Sequence, residues 1–120
     1  MKELDKTTFY PTLSENSRLN VVCFWGMTCA NCKAFLPKYQ AFSEEKAKLA
    51  NFYRFNATEN PAISIEQRVR TLPTVLVFRG ETQLQRFSGR IDLEELEAAL
   101  YELDRDRPES ENDNCLEEEK

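Results

Sequence analysis

An α/β fold, with a mixed sheet of four to five strands and helices on both faces, follows from three features of the sequence. Short apolar runs alternate with longer segments of helical spacing, the pattern of strands separated by crossover helices. The last two runs are joined by the short turn Arg79-Gly80-Glu81, which makes them an antiparallel hairpin. At 120 residues the chain is long enough for one domain with a core of its own.

The elements can be taken in order. Before residue 19 the signal is thin: Leu4 marks a short edge strand, and residues 9–15 a helix that Pro11 interrupts. Val21-Val22-Cys23-Phe24-Trp25 is a continuous apolar run, expected of a strand covered on both faces. Phe35, Tyr39, Phe42 and Leu49 then recur at helical spacing, with Pro37 inside the segment as a kink. Residues 51–57 read as a strand, and Pro61 opens a short helix that ends near Arg68. After Pro73, Thr74-Val75-Leu76-Val77-Phe78 is rich in β-branched and aromatic residues. Its hairpin partner, residues 82–87, has Leu84 and Phe87 as its apolar positions. The clearest helix follows, with Asp92 as N-cap, Glu95 completing a capping box and Ile91 with Leu96 as a staple. Leu93, Leu96, Leu100 and Leu103 form its expected buried face.

Charge divides the chain. Residues 1–103 carry 13 Lys/Arg and 13 Asp/Glu, whereas 104–120 carry 3 basic and 8 acidic residues, the whole of the net charge of −5. The first stretch is expected to be the folded domain and the second an acidic, disordered tail. A neutral body with an acidic tail disfavours nucleic acid as a partner. No apolar run approaches the roughly 20 residues of a membrane helix, and the amino terminus lacks the apolar stretch of a secretory signal. A cytoplasmic protein is therefore expected, in a compartment where paired cysteines are more often catalytic or metal-binding than structural.

The chain contains no histidine and four cysteines, so Cys-His and Ser-His-Asp nucleophiles and histidine-bound metals are excluded. Cys29-Ala30-Asn31-Cys32 falls between a buried strand and the first turn of a long helix. There the free N–H groups of the first turn favour a thiolate on Cys29, and Lys33 adds positive charge nearby. Cys29 can then attack a disulfide and Cys32, one turn on, resolve it. A zinc site is the alternative, but its four ligands require Cys23 from inside a strand and Cys115 from the tail. Two inert core thiols are a second. Redox chemistry accounts best for the placement.

Phe24-Trp25-Gly26-Met27-Thr28-Cys29-Ala30-Asn31-Cys32-Lys33, with Pro37 beyond, resembles the active-site segment of the thioredoxin family. Arg70-Thr71-Leu72-Pro73-Thr74 resembles that family's cis-proline loop, and Ser88-Gly89-Arg90 its glycine loop. The resemblance implies the thioredoxin fold, with Cys29 as exposed nucleophile and Cys32 as resolving thiol. It implies a groove of Trp25, Thr28, Ala30, Asn31, Thr71, Leu72, Pro73 and Gly89. Within it Pro73 is cis, Leu72 offers its backbone to an extended substrate, Gly89 leaves room for it, and Trp25 packs behind the disulfide.

The family's chemistry implies a protein-disulfide reductase with no cofactor or metal beyond the Cys29–Cys32 disulfide. Its partners are disulfide-bearing proteins and a thioredoxin-reductase-type or small-thiol electron donor, and the chain is expected to be a monomer. Three departures qualify this. Thr28 stands where thioredoxins usually have Trp, so part of the groove wall is missing. Ala30-Asn31 replaces Gly-Pro, which keeps an isomerase-like or oxidising variant open. Cys23 takes the place of a buried aspartate that helps deprotonate the second thiol, so slower resolution of mixed disulfides is expected. A non-catalytic adaptor that uses the groove and the tail is the reading from another class. Arg70, Arg90 and Lys33 are expected to border the groove and favour acidic substrates. Cys115, on a flexible stretch spanning roughly 20 Å on average, is expected to be a solvated tail thiol, with an internal or intersubunit disulfide to Cys29 as the alternative.

Overall fold

The computed structural model describes residues 1–15 and 17–105. Its strands are β1 (Lys2–Leu4), β2 (Leu19–Trp25), β3 (Asn51–Asn56), β4 (Thr74–Arg79) and β5 (Thr82–Ser88). Its helices are α1 (Phe9–Ser14), α2 (Ala30–Glu45), α3 (Pro61–Glu66) and α4 (Leu93–Arg105). The strands form one sheet in the order β1-β3-β2-β4-β5. β1 and β2 run parallel to β3, whereas β4 runs antiparallel to both β2 and β5. The mixed five-stranded sheet of the sequence reading is thus present.

Alternation along β2 assigns its neighbours to the two faces. Val21 and Cys23 face a core with Phe35, Tyr39 and Phe42 of α2 and Leu96 and Leu100 of α4. Val22 and Phe24 face the other, with Phe9 and Leu13 of α1 and Ile63 of α3. Both sides of β2 are sealed, which is why it reads as an unbroken apolar run. Phe9 meets the rings of Phe24, Phe55 and Phe78 at centroid distances of 5.8, 5.1 and 5.8 Å, in edge-to-face contacts. On the opposite face the Tyr39 hydroxyl lies 3.1 Å from the Val21 carbonyl and 2.8 Å from that of Tyr53, pinning α2 across β2 and β3.

The structure corrects the sequence reading at several places. Pro11 does not interrupt α1: it occupies the first turn, where its missing N–H has no intrahelical partner to lose. α2 ends at Glu45, because the chain tightens into a turn in which the Leu49 N–H donates to the Lys46 carbonyl at 2.9 Å. α4 runs on through Asp104 and Arg105, two residues into the expected tail, since polar residues alone do not end a helix. Asp92 caps α4 by accepting from the Glu94 N–H at 2.9 Å, without a Glu95 return bond among the described residues. In β5, Phe87 joins the α2/α4 core while Leu84, left unpaired at the register shift opposite Val77 and Phe78, is exposed. The rest of the tail, with Cys115, lies outside the described residues.

Candidate active site

β2 and α2 are consecutive, so the strand carries the chain out of the sheet and the helix begins within a few residues of its end. Cys29 is the N-cap of α2, with extended backbone (φ −91°, ψ 109°). Its Sγ accepts from the Cys32 N–H at 3.1 Å, one of the donors a helix start leaves unsatisfied. Cys29 and Cys32 are joined as a disulfide with Cα atoms 5.3 Å apart. Cys32 is fully buried and Cys29 half-buried, so the attacking sulfur is less open than expected but is the one within reach of a substrate. When the disulfide opens, the same N–H and the helix terminus stabilise a thiolate on Cys29.

The Leu72–Pro73 bond is cis, as the resemblance implied. The Leu72 carbonyl oxygen lies 3.6 Å from Cys29 Sγ, which puts this loop over the disulfide. Thr71 is exposed, and its carbonyl accepts from the Thr74 hydroxyl at 2.6 Å, fixing the bend into β4. Gly89 has φ +72°, a left-handed conformation that favours glycine. Thr28, Ala30 and Asn31 are exposed around the disulfide. Lys33 is exposed on α2, its backbone N–H donating to the Cys29 carbonyl at 3.3 Å.

Two depressions flank the Leu72-Pro73 bend. One, of about 280 Å³, is walled by Asn31, Phe35 and Lys38 of α2 together with Pro73, Gly89 and Arg90. The other, of about 270 Å³, is more apolar and includes Thr58, Pro61, Ile65, Val69, Arg70 and Leu72. Arg70 and Arg90 therefore border the groove from opposite sides, as expected. Lys33 lines neither depression. Asn31, Ala34, Phe35 and Lys38 are spaced three, four and seven residues along one helix face, and Lys33 lies off that stripe.

Trp25 is half-buried and held from the β1–β3 side. Its indole N–H donates to Glu3 at 3.0 Å, and the Arg54 guanidinium, itself paired with Glu3, lies 5.3 Å from the ring. Cys23 shares a register row with Arg54 and Glu3 but is completely buried. Burial pushes its thiol up to about 12, against a smaller opposing pull from Arg54. At neutral pH Cys23 keeps its proton and cannot act as a base.

Gly26 and Thr58 were not singled out in the sequence. A Cβ on Gly26 would lie 2.8 Å from Leu72 Cδ1 and 2.9 Å from Thr58 Oγ1, so glycine lets the cis-proline loop close onto the end of β2. The Met27 N–H donates to the Thr58 hydroxyl at 3.2 Å, tying the approach to Cys29 to the segment after β3. The Gly26 signal lay inside the quoted motif, whereas Thr58 gave none. Among the described residues no cluster of three or more His, Cys, Asp or Glu side chains is arranged to hold a metal ion. Nor is any helix there long and apolar enough to cross a membrane.

A disulfide at the head of a helix, beside an X–cis-Pro bend at the end of a mixed sheet, defines a thiol–disulfide oxidoreductase. The chain belongs to the thioredoxin family, whose profile matches residues 1–102. A thioredoxin of Porphyra purpurea is 24% identical over 100 residues, covering 83% of this chain and 94% of the relative. Thioredoxin f2 of Chlamydomonas reinhardtii superposes with a TM-score of 0.77 at 26% identity, over 85% of this chain and 94% of that one. Thioredoxin f2 in complex with ferredoxin:thioredoxin reductase gives 0.77 at 24% identity, over 85% and 93%.

Proposed function

We propose that the chain reduces protein disulfides by dithiol–disulfide exchange. The Cys29 thiolate attacks one sulfur of the substrate disulfide, and the other sulfur leaves as a thiolate. Cys32 then attacks Cys29 in the mixed disulfide, which releases the second substrate thiol and restores the Cys29–Cys32 disulfide. Two electrons pass to the substrate, and no cofactor or metal beyond the cysteine pair takes part. The observation that carries this is the placement of Cys29 Sγ, between the Cys32 N–H at 3.1 Å and the Leu72 carbonyl at 3.6 Å. An extended substrate strand beside Leu72 brings its sulfur to that atom, with Trp25, Thr28, Ala30, Thr71, Pro73 and Gly89 around it.

The electrons come back from a thioredoxin-reductase-type donor or a small thiol. The complex of thioredoxin f2 with a reductase supports the first of these. The chain acts as a monomer in the cytoplasm, without nucleic acid or membrane as a partner, in keeping with its charge and apolar content.

A redox titration of the Cys29–Cys32 pair in defined thiol buffers, followed through Trp25 fluorescence, tests the proposal. A potential near about −270 mV is expected of a reductase, and one near about −180 mV would make the chain an isomerase or oxidant. No two-electron transition at all would leave an adaptor, which should hold its partner even with Cys29 alkylated.

A further inference from the structure

We propose that the pocket between α2 and the Gly89 loop is a specificity subsite that binds an aspartate or glutamate side chain of the substrate segment, with Lys38 and Arg90 as its cationic partners. This rests on the oxidoreductase reading above and names the substrate class for it.

Position is the first argument. Asn31, between the two cysteines, and Pro73, next to Leu72, both form walls of the pocket, so it opens beside the disulfide. With the apolar depression at Ile65 and Leu72 on the other side of the bend, a peptide whose sulfur sits on Cys29 has this pocket open to one of its flanks. Charge is the second. The lining holds Lys38, Arg90 and the Asn31 amide, and no carboxylate. This is local, because residues 1–103 are neutral as a whole. The adjoining groove between α2 and α4 carries Glu44, Glu45, Glu94 and Glu97 and shares Lys38 with the pocket, so the sign changes across that residue and Arg90 is the cation that belongs to the pocket alone.

The third argument is that these cations are not engaged. Arg54 is paired with Glu3 and Lys46 with Glu97, and Arg86 donates to the carbonyls of Gln67 and Arg68. Among the described residues neither Lys38 nor Arg90 has a carboxylate within ion-pair distance. Two unpaired cations converging on a polar pocket at the point of attack favour an anionic side chain there. Their exposure makes the preference modest and salt-dependent, expressed mainly in the rate of encounter.

The test uses the full reduced chain and peptides that carry one cysteine as a mixed disulfide with 2-mercaptoethanol. The peptides differ only in Glu, Gln or Lys placed two residues before or two residues after that cysteine. In one placement Glu peptides should react about fivefold faster than Gln and about tenfold faster than Lys at low ionic strength, with the ratio shrinking as salt is added. Combining Lys38→Glu with Arg90→Glu should invert the order. That ratio is measured within one protein, so a general loss of rate in the variant does not affect it. Lys6→Glu with Lys48→Glu, the same change in net charge elsewhere, should leave the ratio as it was.

Equal rates for Glu and Lys peptides in both placements, or a preference that survives charge reversal, would overturn the subsite. The neutral bis(2-hydroxyethyl) disulfide separates the two levels of inference. If the chain reduces it yet does not sort the peptides, only the subsite is lost. Failure to reduce it would remove the oxidoreductase reading and the subsite with it.

Discussion

The middle of β2 and the turn that leaves it each carry a cysteine, and the two thiols have opposite fates. Cys23 is sealed between α2 and the sheet, where burial raises its thiol to about 12 and no substrate can approach. Cys29 is half-buried at the head of α2, where a backbone N–H already points at its sulfur. Reactivity here comes from the end of a helix and an open face, while the same side chain six residues earlier behaves as a small hydrophobe.

The strongest break of this comparison is a pair of serine substitutions. Cys29→Ser should abolish protein-disulfide reduction, measured as thiol release, because no other described thiol can reach a substrate. Cys23→Ser should keep turnover within about threefold, but should destabilise the fold by about 1–3 kcal/mol through a buried hydroxyl with a poor partner. Substantial turnover in Cys29→Ser, or its loss in a folded Cys23→Ser, would reverse the assignment. Cys32→Ser divides the chemistry further: attack should proceed and stop, leaving a mixed disulfide on Cys29 that non-reducing mass spectrometry detects. If that adduct failed to accumulate, Cys32 would not be the resolving thiol.

A smaller effect is expected at Gly26→Ala, which leaves both cysteines in place. The new methyl must displace Leu72 or Thr58, and Leu72 carries the carbonyl that faces Cys29 Sγ. Activity on protein disulfides should fall about three- to tenfold and stability by about 1–2 kcal/mol. Unchanged kinetics and an unchanged urea midpoint would show that the loop tolerates the shift.

How much of this was legible beforehand varied with the range of the interaction. The β2 run, the hairpin and the leucine stripe of α4 are local patterns, and each appeared where its period placed it. The Cys-x-x-Cys pair and the cis-proline loop were legible because their motifs are contiguous. α1 was obscured by Pro11, although Asp5 and Thr8 close the turn before it reciprocally: the Asp5 N–H donates to the Thr8 hydroxyl at 2.9 Å and the Thr8 N–H to the Asp5 carboxylate at 3.0 Å. That carboxyl lies below its ordinary value, chiefly through the hydrogen bond from the Thr7 hydroxyl. The contact of Thr58 with Met27 depends on how the chain returns after β3, which no local spacing encodes. Lys38 could be read only by following the Asn31 face of α2 through two turns, whereas adjacency in sequence pointed to Lys33.

The mildest test of the comparison concerns the proton that Cys23 holds. In an unfolded chain this thiol ionises near 9, and in the folded protein only near 12, because burial penalises the thiolate. The folded state therefore binds the proton more tightly. Its contribution is complete below pH 9 and is lost as the pH rises toward 12, by up to about 1.4 kcal/mol per pH unit. Tyr39, buried and raised well above 10, acts in the same direction at higher pH. The oxidised protein removes Cys29 and Cys32 from the titration, since disulfide-bonded sulfurs carry no proton to lose. Its urea midpoint should decline between pH 9 and 10.5. Cys23→Ala should start lower at pH 7.5, for lack of a buried side chain, yet decline less steeply over that interval. Parallel curves would mean that Cys23 ionises as readily in the folded protein as in the unfolded chain, and the contrast with Cys29 would then need a cause other than burial.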